Sequence, residues 1–203
     1  MIGCGITDVI YANLFFKMAE CSLVLSHQHL RTCVDSLLPL FKITSLKKNQ
    51  FEALYWFVSG REVYVSLPTG SGKSVIFHLI PLVHTWMFHN NPNSTRFKKD
   101  AVIVIICPLL TLMQDQVKIL TDCGLKALYI GGDQSEETLK AIENGLFMYV
   151  FLSPESALSN ERWRNMLSSK VYKAKLVGIV VDEVHCMTEW GLSSSNDKRN
   201  VFR

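Results

Sequence analysis

The chain has 203 residues and a net charge of +3 at pH 7, and 48% of its residues are hydrophobic against 19% charged. These are globular values, so they exclude a largely disordered chain, and the length suits one sizeable domain. The weakly basic charge permits a nucleic-acid partner but does not require one, since a strong electrostatic footprint would be a clustered basic face. Six cysteines are spread along the chain with no C-x-x-C pair. Their spacing argues against a zinc site or a disulfide framework and favours a reducing compartment inside the cell.

The first 35 residues carry the weakest structural signal. They are fairly apolar, but Asp8, Lys17 and Glu20 interrupt them well before the roughly 20 residues that a membrane span requires. No basic start precedes a clean apolar run, as it would in a signal peptide. We therefore predict a helical extension over residues 1–35, a domain over 36–191 and a divergent polar tail over 192–203.

From about residue 47 onward, strand-like and helix-like runs alternate. The predicted strands are 62–67, 101–107, 126–130, 147–153 and 175–181. The predicted helices are 49–60, 73–88, 110–124, 135–145 and 160–169, and Pro81 is expected to kink or shorten the second of them. This alternation predicts an α/β fold with a doubly wound, mostly parallel sheet, which binds ligands at the carboxyl ends of its strands.

The segment "LPTGSGKS" (67–74) lies between a predicted strand and a predicted helix. Gly70 and Gly72 allow the backbone to turn its N–H groups toward phosphate oxygens, and the start of the helix adds its dipole. Lys73 would reach the β- and γ-phosphates, and the Ser74 hydroxyl would bind Mg²⁺. Leu67 stands where the pattern G-x-x-x-x-G-K-[ST] has its first glycine, which points away from small nucleoside kinases. The alternative is a Gly/Ser turn whose lysine caps a helix.

A second apolar strand, "LVGIVV", ends at the adjacent acids Asp182 and Glu183. Asp182 could hold Mg²⁺ through its waters, and Glu183 could orient and deprotonate an attacking water. Alone, such a pair is usually part of a solvated loop. Together with the phosphate loop it predicts a site that hydrolyses a nucleotide bound with Mg²⁺.

Six segments follow one another in the order typical of RecQ-type DNA helicases, which belong to superfamily two. They read "FKITSLKKNQFEAL" (41–54), "LPTGSGKS" (67–74), "CPLLTLMQDQV" (107–117), "FLSPE" (151–155), "DEVHC" (182–186) and "MTEWG" (187–191). The chain therefore resembles the front part of such a helicase, and the match at 107–117 is the most family-specific. The resemblance implies a P-loop NTPase domain of the RecA-like type, with ATP and Mg²⁺ as cofactors.

The resemblance also implies which residues contact ATP. Gln50 occupies the position that reads the adenine edge, and Lys47 replaces an arginine, which weakens stacking on the base. The implied ATP-binding residues are Lys47, Gln50, Thr69, Gly70, Ser71, Gly72, Lys73 and Ser74. Lys73, Asp182 and Glu183 would be catalytic, and Ser74 and Asp182 would hold the metal.

Four further residues are implied to contact DNA or to couple it to hydrolysis. Thr111 and Ser153 could touch sugar and phosphate, although each could equally be a helix cap. Trp190 could stack on an unpaired base or anchor its loop. His185 fits a sensor of bound nucleotide better than a metal ligand, because beside Cys186 it has no further partners. The implied function is ATP-dependent 3′-to-5′ unwinding at junctions of single- and double-stranded DNA, in the nucleus, in repair and recombination.

After Gly191 the chain departs from the family pattern. RecQ-type enzymes continue His-Asp-Phe-Arg-Pro, whereas residues 192–196 read Leu-Ser-Ser-Ser-Asn. The second RecA-like domain and its transition-state arginine are not in this sequence, so we expect the chain to carry only the front of the motor, C-terminally truncated. The alternatives are a nucleotide- or DNA-binding module without turnover and another P-loop enzyme such as a nucleotide kinase, which the match at 107–117 disfavours.

Overall fold

The computed structural model describes residues 7–12, 25–68, 70–91, 94–132 and 134–182, which form one sheet with flanking helices. The strands are β1 Thr7–Ala12, β2 Val63–Pro68, β3 Val102–Ile106, β4 Ala127–Tyr129, β5 Tyr149–Leu152 and β6 Leu176–Val181. The helices are α1 His27–Leu37, α2 Lys48–Val58, α3 Ser74–Asn90, α4 Leu110–Asp122, α5 Glu136–Glu143, α6 Pro154–Ser159, α7 Glu161–Ser168 and α8 Lys170–Lys175. A 3₁₀ turn at Leu38–Phe41 joins α1 to the segment before α2.

The sheet has the strand order β2-β1-β6-β3-β5-β4. Strands β6, β3, β5 and β4 pair in parallel, and β1 pairs antiparallel with both β2 and β6. The predicted α/β fold with a mostly parallel sheet is confirmed. Parallel neighbours need crossover connections, and the helices between successive strands provide them.

The amino-terminal region differs from the helix predicted over residues 1–35. Thr7–Ala12 is a strand, because the run "TDVIYA" pairs along its whole length with β2, and this pairing overrides local propensity. Helix α1 follows at His27, with Ser26 as its N-cap, and buries Leu30, Cys33 and Val34 in the core. The packed unit thus begins before residue 36.

Strand β3 separates two hydrophobic cores. Ile103 and Ile105 lie in the core that packs beneath α1–α4, and Val102 and Val104 lie in the core that packs beneath α5–α8. Successive side chains of a strand point to opposite faces, so a strand with a core on each side must be apolar at every position. This explains the uniformly apolar run predicted as a doubly covered strand.

Helix α3 passes through Pro81 without ending, so the expected shortening does not occur. Proline removes one backbone hydrogen bond from the helix and crowds the preceding turn. Within that turn, the His78 carbonyl accepts a hydrogen bond from the buried Tyr149 hydroxyl at 2.5 Å. The neighbouring strand β5 thereby supplies a donor beside the proline. Among the described residues, no helix is both long and apolar enough to cross a membrane.

Gly178 of β6 allows α2 to lie close against the sheet. A Cβ atom placed at Gly178 would overlap Cζ of Phe57 and would stand 3.0 Å from its Cε1. Phe57 is only 3% exposed, so its ring is enclosed on its other sides. Glycine is therefore required here by the close approach of a ring.

Candidate functional site

The phosphate loop joins β2 to α3. Gly70 and Gly72 have φ angles of 76° and 84°, in the left-handed region that favours glycine. Between them, Ser71 donates its backbone N–H to the Pro68 carbonyl at 3.1 Å, which closes the turn. The glycines thus curl the backbone as the sequence predicts. Thr69 lies outside the described residues.

The Lys73 side chain lies against this loop and is buried. Its side chain is 8% exposed, and Nζ donates to the carbonyl oxygens of Leu67 at 3.0 Å and of Pro68 at 3.5 Å. The ammonium group therefore lies where β2 ends and α3 begins. There it can act as a point charge toward a phosphate group, alongside the helix dipole.

Gln50 and Lys47, at the start of α2, form hydrogen bonds to the same loop. Gln50 Oε1 accepts from the Lys47 backbone N–H at 2.8 Å, and Gln50 Nε2 donates to the carbonyls of Ser71 and Gly72, each at 3.0 Å. Lys47 Nζ donates to the Ser71 carbonyl at 3.1 Å. The structure therefore gives Gln50, which is 5% exposed, a role in holding the loop. The sequence alone predicts only a contact between Gln50 and the adenine edge.

A cavity of about 340 Å³ opens beside the loop. Its walls include Phe41, Ile43, Gln50 and His78, and the rings of Phe41 and His78 stack with centroids 5.6 Å apart and 21° between their planes. The volume lies within the roughly 300–1,000 Å³ of small-molecule sites. An aromatic wall with an amide at its edge is suited to a planar heteroaromatic ring.

Gln116 of α4 links the loop to this wall, and the sequence analysis did not select it. Its Nε2 donates to the Ser74 hydroxyl at 3.4 Å, and its Oε1 lies 2.8 Å from Nε2 of His78. An amide oxygen only accepts, so His78 Nε2 carries a proton. Burial lowers the pKa of His78 to about 4, which outweighs the opposing effect of this bond. His78 is therefore neutral at pH 7, and Gln116 orients the hydroxyl of the predicted metal ligand Ser74.

A signal for Gln116 is present in the sequence. Met113 and Leu120 are the buried residues of α4, and Gln116 lies on the same helical face, three residues after the first. A glutamine on an apolar stripe must find a polar partner inside the protein, because burying an unpaired amide is costly. The family resemblance of this segment implies a role only for Thr111.

Asp182 is the one member of the acid pair that the structure describes. It follows β6 directly, is 9% exposed, and donates its backbone N–H to the Ile106 carbonyl at 2.8 Å. The carboxylate is thus placed at the carboxyl end of the sheet, as predicted. Glu183, His185 and Trp190 lie outside the described residues.

Ser153 and Thr111, the two residues implied to contact DNA sugar and phosphate, differ in their local roles. Ser153 is the N-cap of α6, and its hydroxyl accepts from the Ser156 backbone N–H at 3.2 Å, which confirms the capping alternative for this residue. Thr111 is an exposed residue in the first turn of α4, whose N-cap is Leu109, so the capping alternative is wrong for Thr111.

Comparison with known proteins places the sequence among helicases. Residues 47–201 match the family described as DEAD/DEAH box helicase. The chain is 33% identical over 156 residues to ATP-dependent helicase SGS1 of Saccharomyces cerevisiae, covering 75% of this chain and 10% of the relative. It is 27% identical to ATP-dependent DNA helicase RecQ of Haemophilus influenzae, covering 79% of this chain and 23% of the relative.

Structural comparison gives a distant match. A crystal structure of the DUF1998 helicase MrfA bound to DNA and AMPPNP aligns with a TM-score of 0.45 and 17% identity, over 78% of this chain and 22% of that one. The chain thus spans between about a tenth and a quarter of the length of these proteins.

Proposed function

Because the chain belongs to the DEAD/DEAH box helicase family and has RecQ-family helicases among its relatives, we propose that it carries the ATP-binding half of an ATP-dependent DNA helicase. The observation that carries this proposal is that Gln50 and Lys73 hydrogen-bond to one glycine-rich loop at the end of a strand, next to Ser74, whose hydroxyl accepts from Gln116. A loop of this form presents backbone N–H groups, a lysine and a hydroxyl, which are the groups that a Mg²⁺-bound polyphosphate requires.

The nucleotide contacts are divided among the elements that meet at the loop. Residues 69–74 would hold the phosphates, and Ser74 and Asp182 would hold Mg²⁺, directly or through its waters. The cavity walled by Phe41 and His78 would take the adenine, with the Gln50 amide at its edge and Lys47 nearby. Glu183 would then act on the attacking water.

The DNA side of the proposal rests on Thr111, Ser153, His185 and Trp190. Thr111 is exposed in the first turn of α4, which follows β3 at the carboxyl edge of the sheet, where a hydroxyl can reach a phosphate without reading a base. Ser153 starts α6 after β5, at the same edge. Trp190 would stack on an unpaired base and His185 would couple nucleotide to DNA. The 3′-to-5′ polarity, the nuclear location and the part in DNA repair and recombination belong to this proposal.

Nucleotide binding is tested first, by calorimetry with Mg-ATP on the purified chain. Lys73→Ala removes a charge-assisted contact, so we expect affinity to fall by roughly 10- to 100-fold. Lys140→Ala, an exposed lysine on α5, is the matched control and should bind as the unmodified protein does. Equal affinity of Lys73→Ala and Lys140→Ala would overturn the assignment of the loop.

Turnover is tested separately. We expect slow ATP hydrolysis, because the transition-state arginine of the family belongs to a second domain. This hydrolysis should rise with added single-stranded DNA and disappear in Glu183→Gln, while Mg-ATP binding in that variant persists. Binding without hydrolysis would favour the second candidate, a nucleotide-binding module that depends on a further domain for catalysis. Duplexes with a 3′ or a 5′ single-stranded tail, offered to any unwinding-competent longer form, would test the polarity.

A further inference from the structure

The parallel strands begin at the edge of the sheet that lies away from the phosphate loop. Strands β6, β3, β5 and β4 pair in parallel, so the segments that lead into them meet at one edge. This edge is named the amino edge and is defined by residues 96–101, 124–126, 145–148 and 170–175. The phosphate loop lies at the other edge, because β2 and β6 both run antiparallel to β1 and therefore end on the same side. At roughly 3.3 Å per residue, the length of β6 places the two edges about 20 Å apart.

Two cavities show that these segments meet in space. One, of about 420 Å³, is lined by residues from all four segments, including Asp100, Lys126 and Lys175. The other, of about 170 Å³, has Lys98 and Lys173 in its wall. Lys98 belongs to the same segment as Asp100, and Lys173 to the same segment as Lys175. The two cavities therefore open on neighbouring parts of the amino edge.

The amino edge is strongly basic. Its four segments contain seven basic residues and one acidic residue, Asp100, which gives a charge of +6. The whole chain carries +3, so all residues outside these segments together carry −3. The weak overall charge is thus the sum of a clustered basic face and an acidic remainder. A clustered basic face is the electrostatic footprint of a nucleic-acid partner.

Most cationic side chains of the amino edge reach solvent. Lys98 is half-buried, and the exposed lysines are Lys99, Lys126, Lys170 and Lys173. Among the described side chains, the ion pairs involve no lysine of this edge. Like charges that no acidic neighbour neutralises repel one another, and an anion bound among them removes this repulsion.

The lysines are spread along the edge in the order of the strands. Lys173 and Lys175 precede β6, Lys98 and Lys99 precede β3, and Lys126 precedes β4. Three strand spacings separate β6 from β4, which is roughly 14 Å at about 4.8 Å each. A duplex has one phosphate on each strand per roughly 3.4 Å of its axis, so a row of this length faces about four consecutive base pairs.

The walls of the two cavities offer no exposed aromatic ring among the described residues. Their aromatic side chains are buried or half-buried, and they belong to Phe57, His84 and Phe147. Surfaces that bind single strands stack successive bases on aromatic rings. A duplex needs no such platform, because its bases already stack on one another. The exposed Leu146 at the rim can pack against a deoxyribose between two phosphates.

We propose that the amino edge binds the phosphate backbone of duplex DNA, without reading base sequence, as a second DNA contact on the side of the domain away from the phosphate loop. The choice of DNA among polyanions rests on the proposed helicase function, whereas the attraction of a polyanion rests on the lysines alone. No residue of the phosphate loop takes part, so this contact does not depend on bound nucleotide.

The test measures binding of a fluorescently labelled blunt duplex by anisotropy, with the whole chain and without nucleotide, over roughly 50 to 200 mM salt. Lys98→Gln/Lys126→Gln/Lys173→Gln removes one charge before each of β3, β4 and β6. We expect affinity at the lowest salt to fall at least about tenfold. The slope of log K against log salt should decrease by about three, because each lysine–phosphate contact contributes about one.

A matched triple variant separates the amino edge from the net charge of the chain. Lys48→Gln/Lys140→Gln/Arg164→Gln makes the same change in charge at exposed positions on α2, α5 and α7, which line neither cavity. Its salt slope should change by less than about one, because distant surface charges are screened. Equal losses in the two triple variants would overturn the proposal. Urea denaturation midpoints that match the unmodified protein show that both variants are folded.

Competition identifies the occupant. Unlabelled duplex should displace the labelled duplex at a lower total charge than polyglutamate does. Displacement by polyglutamate at equal charge would make this edge a surface for an acidic polypeptide and would overturn the assignment to DNA. A single strand of the same length that binds more tightly than the duplex, with equal dependence on the three lysines, would overturn the choice of duplex.

Thr111→Ala distinguishes the two edges of the sheet. Thr111 belongs to the DNA contact proposed at the carboxyl edge, so its loss should leave the contribution of the three lysines to blunt-duplex binding unchanged. If Thr111→Ala weakens duplex binding and the lysine triple does not, the second contact is refuted. If Lys73→Ala leaves Mg-ATP binding intact, the nucleotide site fails instead, and the lysine result is still decided by its own salt slope.

Discussion

Replacing Gly178 by alanine should destabilise the protein through one identifiable contact. The added methyl group would overlap Cζ of Phe57 and would lie 3.0 Å from Cε1 and 3.4 Å from Cε2 of the same ring. The ring is 3% exposed and cannot swing into solvent. Overpacking of this kind costs about 1–3 kcal/mol, and because a ring blocks the site directly we expect a value in the upper half of that range. Such a cost is a large share of the roughly 5–15 kcal/mol that stabilises a domain.

The measurement is urea denaturation of the full chain, with the change read from the midpoint at constant slope. Gly131→Ala is the matched control, because its methyl group would meet only Tyr129 at 3.7 Å, an ordinary contact. We expect this control to change stability by less than about 0.5 kcal/mol, as substitutions away from special features usually do.

A double-mutant cycle with Phe57→Leu then isolates the contact. The smaller side chain should accommodate the methyl group, so the pair should cost at least about 1 kcal/mol less than the sum of the single variants. Additive costs, or a Gly178→Ala cost no larger than that of Gly131→Ala, would refute the reasoning that the ring excludes a side chain here.

Three features of helix α3 can each be tested by one substitution. Gln116→Leu should raise the Mg²⁺ concentration for half-maximal ATP binding about tenfold, because the Ser74 hydroxyl loses its 3.4 Å donor, and ATP binding measured in EDTA should not change. The free energy of unfolding should fall as pH is lowered from 6.5 to about 4 and be fully retained above 6.5, because the unfolded chain protonates His78 at its ordinary pKa while burial holds the folded pKa at about 4. In His78→Gln this slope should be shallower by up to about 1.4 kcal/mol per pH unit when urea midpoints are compared, and an unchanged slope would contradict it. Tyr149→Phe should cost about 1 kcal/mol in the same assay, because the His78 carbonyl loses a buried donor, and no loss would show that this bond adds nothing.

The parallel part of the sheet was predictable because a strand that is buried on both faces is apolar at nearly every position. "AVIVIIC" and "LVGIVV" are apolar at almost every position, and the glycine-rich turn after β2 has only one common use in such a setting. Strand β1 was not predictable, because its place depends on pairing with β2, more than fifty residues later. Helices α6 and α8 were missed because each has six residues, too few to show helical periodicity.

Within the candidate site, the arrangement of residues that are adjacent in sequence could be predicted, whereas contacts between distant segments could not. The glycines, Lys73 and Ser74 form a contiguous motif, so their arrangement is local and could be read directly. Gln116 reaches Ser74 from a helix 42 positions away in sequence, and the donation from Gln50 to two loop carbonyls depends on how α2 packs on the loop. Such contacts depend on tertiary packing. A single sequence shows which residue types are present but not which of them meet in the fold.

The backbone bond between Asp182 and Ile106 has a consequence for how this family can diversify. It continues the pairing of β6 with β3, so the position of Asp182 is set by its pairing with a buried central strand. A slip of one residue between these strands would turn every β6 side chain to the opposite face, and both cores select against that. A change in the length of the loops beyond both strands would therefore leave the carboxylate in place, although those loops also carry Glu183 and the family-specific segment 107–117.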